Sequence, residues 1–247
     1  APIALDHTLG PPGASLSATA LPQGHASYTI PSSAGARAGG NLFHSFARFG
    51  IPGGDAAIFT QDTPGSISNI LARVTGGAAS HIAGTLRSEV PGADLYLLNP
   101  AGVVFAPGAV VDVPAGLHVS TASYVRMEDG SRFSSIAEPG EVLSASAPAA
   151  FGFLGPMASP IEITGATITA RAGSLSVVGV SDGSSPGVDV RGGVVEQKGG
   201  DILLASVASP GELALARPEH AREGFASLGP LVIQDSARVQ ASDLEID

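Results

Sequence analysis

Residues 94–120 contain three short apolar runs, and each run is followed at once by a turn. The runs are Leu95–Leu98, Val103–Phe105 and Val110–Val113, and the segments after them are rich in proline and glycine. Proline fixes one turn dihedral, glycine supplies positive φ, and asparagine bonds its own backbone. Runs this short are too short for helices and indicate buried strands. Such frequent turning, with no helical segment between, is typical of a solenoid or a β-sandwich.

The C-terminal part of the chain repeats itself with a fixed period. Three apolar positions recur 27 residues later, in the pairs Ile168 and Val195, Leu175 and Ile202, and Val177 and Leu204. A weaker third copy contains Val239, Leu244 and Ile246. A fixed period with strand patterns and no helix pattern predicts a β-helix, whose coils pair in parallel about 4.8 Å apart. At roughly 20–27 residues per coil, the chain would make about nine coils.

Composition excludes several classes of protein. The 247 residues are 44% hydrophobic, enough for one domain with a sizeable core. The net charge is −10 and Lys198 is the only lysine, which argues against binding of nucleic acid. The absence of cysteine removes disulfides and thiolate chemistry, and it is compatible with export through an oxidising compartment. No apolar run approaches the length of a membrane-spanning helix.

Three other segments carry structural predictions. Asn41–Phe49 holds three phenylalanines and is too short before Gly50 and Pro52 for a stable helix, so we expect an extended, aromatic-packed segment. Ala26–Ile30 can form a terminal strand that covers the open end of a solenoid. The aromatic segment Phe151–Pro156 predicts a plug or corner between coils, and Asp129-Gly130 predicts a hairpin turn.

No catalytic motif is present in the sequence. The chain lacks nucleophile-elbow, P-loop, dinucleotide-binding and zinc-protease signatures, and its six histidines are dispersed. His118 alternates with Leu117 and Val119, which predicts a histidine on the surface. Asp94 and Asp112 are the closest candidates for the paired carboxylates of a β-helix polysaccharide enzyme, but each is a lone acid beside a turn. We expect no catalytic, cofactor or metal site.

Several motifs between about residues 20 and 165 resemble the secretion domain of two-partner secretion (TPS) exoproteins, the filamentous-haemagglutinin family. The matching segments are Asn41-Leu42-Phe43-His44-Ser45-Phe46, residues 70–77, residues 80–84, residues 95–105, Pro107-Gly108-Ala109, residues 118–122 and residues 151–155. The family pattern at the central turn is Asn-Pro-Asn-Gly, whereas this chain has Asn99-Pro100-Ala101-Gly102. Pro100 and Gly102 retain the turn chemistry, but the second asparagine is missing.

The resemblance implies a fold and a function. The fold is all-β, a right-handed parallel β-helix with an N-terminal cap and small extra-helical sheets. The function is that of an N-terminal secretion domain, recognised by the POTRA domains of a TpsB-type outer-membrane β-barrel transporter. Such a domain would nucleate β-helix folding at the surface of a Gram-negative cell. Recognition or folding would depend on residues of two motifs: Asn41, Leu42, Phe43, Phe46, Asn99, Pro100 and Gly102.

The remaining expectations concern organisation and alternatives. We expect one domain, divided into a cap region at 1–40, a family-matching block at 41–165 and regular coils at 166–247. We expect a monomer that binds neither nucleic acid nor a small-molecule substrate. Ala1-Pro2-Ile3 is consistent with an N-terminus left by signal-peptide cleavage in a secreted or surface protein that passes through the periplasm. A surface adhesin for host glycan or protein is the main alternative, and a polysaccharide-active enzyme is a weaker one.

Overall fold

Three long sheets, A, B and C, form the faces of a parallel β-helix. The computed structural model describes residues 1–138, 140–155, 158–215, 224–241 and 243–246. Within a coil the chain passes through sheet C, then sheet B, then sheet A, and the next coil repeats that order. This architecture confirms the predicted parallel β-helix. No helix in the described part of the chain is long and apolar enough to cross a membrane.

The strands are short, as the spacing of turns predicts. Sheet A contains β1 (Ile3–Leu5), β4 (Ala36–Ala38), β5 (Asn41–Phe49), β7 (Asn69–Val74), β10 (Asp94–Leu98), β13 (Leu117–Ser120), β19 (Leu175–Val180), β22 (Asp201–Val207) and β26 (Asp243–Ile246). Sheet B contains β2 (Ser17–Ala20), β3 (Ala26–Pro31), β6 (Ala56–Thr60), β9 (Thr85–Ser88), β12 (Val110–Val113), β18 (Thr167–Ala170), β21 (Val194–Gln197) and β25 (Arg238–Gln240). Sheet C contains β8 (Ser80–Ile82), β11 (Val103–Phe105), β17 (Ile161–Thr164), β20 (Val188–Arg191) and β24 (Leu231–Gln234). Short 3-10 helices occupy Pro22–Gly24 and Ser32–Ala34.

A fourth sheet, D, lies outside the helix. It is antiparallel and contains, in spatial order, β15 (Arg132–Ser134), β14 (Tyr124–Met127), β16 (Pro148–Phe153) and β23 (Gly211–Ala214). The hairpin predicted at Asp129-Gly130 joins β14 to β15, and Gly130 has a φ of 84°. The segment predicted as a plug between coils was placed wrongly, because Phe151 and Phe153 lie in β16, inside sheet D.

The predicted 27-residue repeat is confirmed by the strand register. Its positions pair across neighbouring strands as Ile168 with Val195, Leu175 with Ile202, and Val177 with Leu204. The third copy continues the same rows, with Val239 beside Val195, Leu244 beside Ile202 and Ile246 beside Leu204. The repeat therefore marks residues that stack along the helix axis.

The predicted number of coils is wrong. Seven strands of sheet A stack in parallel, from β5 to β26. Six spacings of about 4.8 Å give a stack of about 29 Å. The estimate of nine coils fails because the chain leaves the helix between β13 and β17, and again between β22 and β24. The strands of sheet D lie in those excursions. The prediction of nine coils assigned their residues to coils of the helix.

Sheet A is buried on both faces, which creates two cores. Its inward side chains, such as Leu95 and Leu97, join the core inside the β-helix. Its outward side chains, such as Tyr96 and Leu98, pack with residues of sheet D in a second core. Parallel sheets with both faces covered have nearly continuous apolar strands, which explains the apolar run at Leu95–Leu98.

The N-terminal end of the stack is closed by antiparallel strands. β1 pairs with β5, placing Ile3 beside Phe49, and β2 pairs with β3. The strand predicted at Ala26–Ile30 exists as β3, but it pairs in parallel with β6, so it begins the parallel stack of sheet B and does not itself cover the open end. The cap is therefore made by β1, β2 and β4: β1 and β4 cover the otherwise free edge of β5, and β2 covers that of β3.

His44 lies inside the first coil without a hydrogen-bond partner for either ring nitrogen. Its ring centroid is 5.9 Å from that of Phe46 and 5.6 Å from that of Phe59. Burial lowers the pKa of His44 to about 4. The imidazole is thus held neutral in an apolar core, at the cost of two buried polar atoms without partners.

We expect His44→Leu to raise the free energy of unfolding by about 1–3 kcal/mol, because it removes these buried polar atoms. Acid should weaken the wild type as pH falls from about 6.5 to about 4, because the unfolded state takes up the proton first. Each such histidine contributes up to about 1.4 kcal/mol per pH unit. Urea unfolding at several pH values measures both effects.

The exposed His81 supplies the control, since His81→Gln removes no buried group and should leave the free energy of unfolding unchanged. Burial also lowers the pKa of His118, to about 3. The His44→Leu protein should therefore retain the part of the acid sensitivity that comes from His118. Equal slopes for His44→Leu and the wild type would contradict the assignment.

Candidate functional site

The seven residues predicted to matter for recognition or folding lie in two places. Asn41, Leu42, Phe43 and Phe46 belong to β5, whereas Asn99, Pro100 and Gly102 form the turn between β10 and β11. Asn41 lies in the first row of sheet A, whereas Asn99 follows its last row, so the fold does not bring the two asparagines together; Phe46 lies near the Asn99 end, two strands away from β10. Only Pro100 is partly exposed, and the other six are buried.

Leu42, Phe43 and Phe46 show how β5 serves both cores. Leu42 and Phe46 point into the β-helix, while Phe43 points outward into the second core. The Phe43 ring packs edge-on against Phe133 of the hairpin, with ring centroids 4.9 Å apart. The predicted extended segment is therefore confirmed as β5, and Phe43 is the aromatic residue of that strand that packs against sheet D.

Asn41 ties the start of β5 to the segment that follows the hairpin. Its Nδ2 donates to the carbonyl oxygens of Ser144 at 3.0 Å and Ser146 at 2.6 Å. Its Oδ1 accepts a hydrogen bond from Nδ2 of Asn69 at 2.9 Å. The side chain thus joins residues more than 100 positions apart, and it is 1% exposed.

A row of polar side chains continues from Asn41 across sheet A. Asn69 and Asp94 are in register with it on the next two strands. Oδ1 of Asp94 accepts a hydrogen bond of 2.7 Å from the backbone N–H of Gly116. Burial raises the pKa of Asp94 above its ordinary value despite that bond. These side chains provide hydrogen-bond partners for buried polar groups at the corner of three successive coils, which is a structural role.

Asn99 ties its own turn to the turn of the preceding coil. Its Nδ2 donates to the carbonyl of Ala78 and to Oγ of Ser80, both at 3.0 Å. Its Oδ1 accepts from the backbone N–H of Ala101 at 2.9 Å. The residue is fully buried, so the folded domain leaves no atom of its side chain for a partner protein.

Gly102 permits this turn to close. Its φ is +109°, and a Cβ atom there would lie 3.1 Å from the carbonyl oxygen of Pro160. Few L-residues adopt such a backbone conformation. The half-buried Ala101, where the family has asparagine, makes no equivalent demand.

Arg73 is the residue that sequence reasoning missed. It is fully enclosed and is the largest side chain in the structure with that degree of burial. Nη1 lies 2.9 Å from Oε1 and 2.7 Å from Oε2 of Glu141, and it donates to the carbonyl of Ser134 at 2.9 Å. The signal was present in the sequence, since Arg73 is a lone charge in the apolar strand β7.

His118 was predicted to lie on the surface, and that prediction is wrong. Its side chain does point out of the helix, but sheet D covers it and leaves it 3% exposed. Its ring stacks on Tyr96 with centroids 4.3 Å apart, and Nδ1 lies 2.7 Å from Oγ of Ser176. Nε2 lies 4.0 Å from Oδ2 of Asp94.

The Asp94, His118 and Ser176 side chains resemble the order of a hydrolase triad, but their setting does not suit catalysis. The 4.0 Å separation from Asp94 is too long for a hydrogen bond. The adjoining cavity, lined by Leu203 and Leu215, has a volume of about 10 Å³, enough for about one water. Ser176 is 4% exposed, so a substrate would not reach its hydroxyl in the folded domain.

The two candidate carboxylates do not converge. Asp94 lies on sheet A, whereas Asp112 lies on sheet B. Both oxygens of Asp112 accept hydrogen bonds of 2.7 Å from the exposed Arg171. In the described part of the chain, no three or more metal-binding side chains form a group that could hold an ion.

We expect Asn99→Ala to lower the free energy of unfolding by about 2–4 kcal/mol, because it leaves buried groups of the turn without partners. Ala101→Asn, which restores the family pattern at a half-buried position two residues away, should change it by less than about 0.5 kcal/mol. Urea unfolding followed by circular dichroism measures both. A larger loss for Ala101→Asn than for Asn99→Ala would contradict the assignment of Asn99 as the structural residue.

Comparison with known proteins identifies the family to which the chain belongs. A solved structure, the HMW1 secretion domain from Haemophilus influenzae, is similar at 13% identity, with 95% of this chain and 84% of that chain covered and a TM-score of 0.31. No curated protein sequence matches the chain. The sequence model of the TPS secretion domain family matches residues 7–224, which is most of the chain. The chain therefore belongs to the TPS secretion domain family and is the secretion domain of an exported protein.

Proposed function

We propose that this domain is a non-enzymatic export signal, read by the periplasmic POTRA domains of a dedicated outer-membrane transporter before the domain folds. The observation that carries the proposal is the burial of the family motif. Asn41 and Asn99 are 1% and 0% exposed, and both side chains spend their hydrogen bonds inside the fold. A partner can therefore read these motifs only in the unfolded chain.

The strands of sheet A are suited to recognition in an extended state. Because both faces of the sheet are covered, β5 and β10 carry apolar side chains on both sides of the backbone. An extended segment of this kind can add to the edge of a partner's sheet, where main-chain hydrogen bonds give affinity and pockets give specificity. Folding then hides the same segments, which would release the partner.

The free energy released by folding outside the cell would drive export in the outward direction. A domain of this size releases roughly 5–15 kcal/mol on folding, and stacked coils can form one after another. The chain contains no cysteine, so no disulfide locks it shut in the periplasm. We infer that the domain folds after transfer, and that its β-helix forms a template for folding at the cell surface.

A surface adhesin is the second candidate, and one observation favours it. Ile136 and Leu154 are 70% and 69% exposed. They flank Ser123, whose backbone carbonyl and hydroxyl accept hydrogen bonds from the N–H groups of Ser135 and Leu154. Exposed apolar residues grouped at one end of a sheet are typical of a contact surface. Binding of host glycan or protein by the folded domain would support that function.

Gly102→Val separates recognition from folding. The valine requires a strained backbone and approaches Pro160, so we expect a loss of about 2–4 kcal/mol in stability. The variant should bind the periplasmic part of the transporter at least as well as the wild type, because more of it is unfolded. Its secreted yield should fall. Surface plasmon resonance in mild urea and secretion assays provide the two readouts, with Ala101→Asn as the control.

Deletion of residues 41–105 removes both motifs and should abolish transporter-dependent export. The secreted and periplasmic fractions are measured by immunoblot with a C-terminal tag. Undiminished export of the deleted chain would overturn the proposal. Equal affinity of the native wild type and the unfolded chain for the transporter would also overturn it.

A further inference from the structure

Arg73 joins parts of the chain that are far apart in sequence. Nη2 donates to Oγ1 of Thr8, 65 residues upstream, at 3.3 Å, and Nη1 contacts Glu141, 68 residues downstream. Nε donates to Oγ of Ser45 at 2.7 Å. One guanidinium therefore contacts the N-terminal segment, the first coil and the loop that follows the hairpin of sheet D.

A second carboxylate extends this network into the cap. Oδ2 of Asp6 accepts hydrogen bonds from the hydroxyls of Ser45 at 2.6 Å and Thr75 at 2.8 Å. Oδ1 accepts from the backbone N–H of Thr8 at 2.9 Å. Burial raises the pKa of Asp6, but the hydrogen bonds from Ser45, Thr8 and Thr75 outweigh it and hold that pKa below its ordinary value.

A continuous chain of hydrogen bonds connects the cap to the loop after the hairpin. Ser45 has one hydroxyl proton, which it gives to Asp6, so its lone pair is free to accept from Arg73. Arg73 then reaches Glu141, and its Cζ lies 4.7 Å from the ring centroid of Phe133. Loss of either carboxylate leaves the buried guanidinium with less compensation.

Burial of Arg73 depends on sheet D. The residue points outward from β7, in register with Ser45 and Leu98, so without the hairpin it would face solvent. Desolvation of an arginine costs several kcal/mol unless charge and hydrogen-bond partners replace water. Docking of sheet D therefore compensates the desolvation of Arg73 only when Glu141 and the carbonyl of Ser134 arrive together in the correct register.

We propose that Arg73 is a latch that couples the N-terminal cap to the extra-helical sheet, so that both close over sheet A in one cooperative step. The cap presents Asp6 and Thr8 to the latch, and the loop presents Glu141. This inference goes beyond the proposed function and does not depend on any partner. Its consequence is that the domain completes its fold only after Ser134 and Glu141 have joined the first two coils.

Native-state hydrogen exchange on the full chain tests the coupling. In Glu141→Gln, exchange should rise in a peptide covering residues 125–134, and by a similar factor in a peptide covering residues 1–8. Asp6→Asn should likewise raise exchange in both peptides, although Asp6 itself belongs to the cap. Exchange at residues 1–8 that is unchanged in Glu141→Gln would overturn the latch, because a merely local role for Glu141 predicts that result.

The control is Glu196→Gln, which removes an exposed ion pair with Lys198 at 3.6 Å. That variant should leave both peptides unchanged.

A double-mutant cycle provides the second measurement. Each of Asp6→Asn and Glu141→Gln should reduce the folding equilibrium constant by some factor. In the double variant the reduction should be at least fivefold smaller than the product of those two factors, since either change already opens the latch. The same cycle in an Arg73→Met background should be additive. Additivity in the wild-type background would overturn the proposal.

If a single variant does not fold, hydrogen exchange of the wild type in sub-denaturing urea replaces the experiment on that variant. The amides of β1 and β15 should then exchange through one common opening, and two separate openings would overturn the latch.

Discussion

Both faces of sheet A must be buried, and the rest of the structure depends on that constraint. The inward residues, such as Leu97 and Val119, are covered by the coil itself. The outward residues, such as Leu98 and Val178, require a cover that the coils do not provide. The chain therefore leaves the helix twice and returns in register, with sheet D built from the two excursions.

Two polar side chains at this interface specify the register in which sheet D packs. Arg73 and Asn41 border the second core, and each bonds to residues of the hairpin or of the segment after it. A wrong register would bury the guanidinium or the amide without those partners, at a cost of about 1–3 kcal/mol for each polar group and more for the charge. Apolar contacts stabilise sheet D, while these polar contacts select its position.

The same architecture connects the folded and unfolded states to export. The strands that are apolar on both sides are the ones that an unfolded chain would offer to a sheet edge, and they are hidden once the coils stack. The family motif lies in two of these segments, at the start of β5 and just after β10. In the proposed mechanism, one set of residues would therefore serve the unfolded chain as a signal and the folded domain as a core.

Local order could be read from the sequence to a large extent. The short apolar runs gave strands at the predicted places, and β5 spans the segment Asn41–Phe49 that was expected to be extended. The positions 27 residues apart became neighbours in the stack. The family resemblance supplied the extra-helical sheet, which residue patterns alone did not reveal.

The sequence by itself determined which residues form strands, where they turn and which side chains alternate, because these depend on neighbours one to four positions away. Only the tertiary structure decided what covers each face. His118 points outward as its alternation predicts, yet it is buried, because sheet D arrives from residues later in the chain. The number of coils, the place of Phe151 and the enclosure of Arg73 follow from the same long-range packing. Alternation fixes the direction of a side chain, but only packing between distant segments fixes whether water or protein meets it.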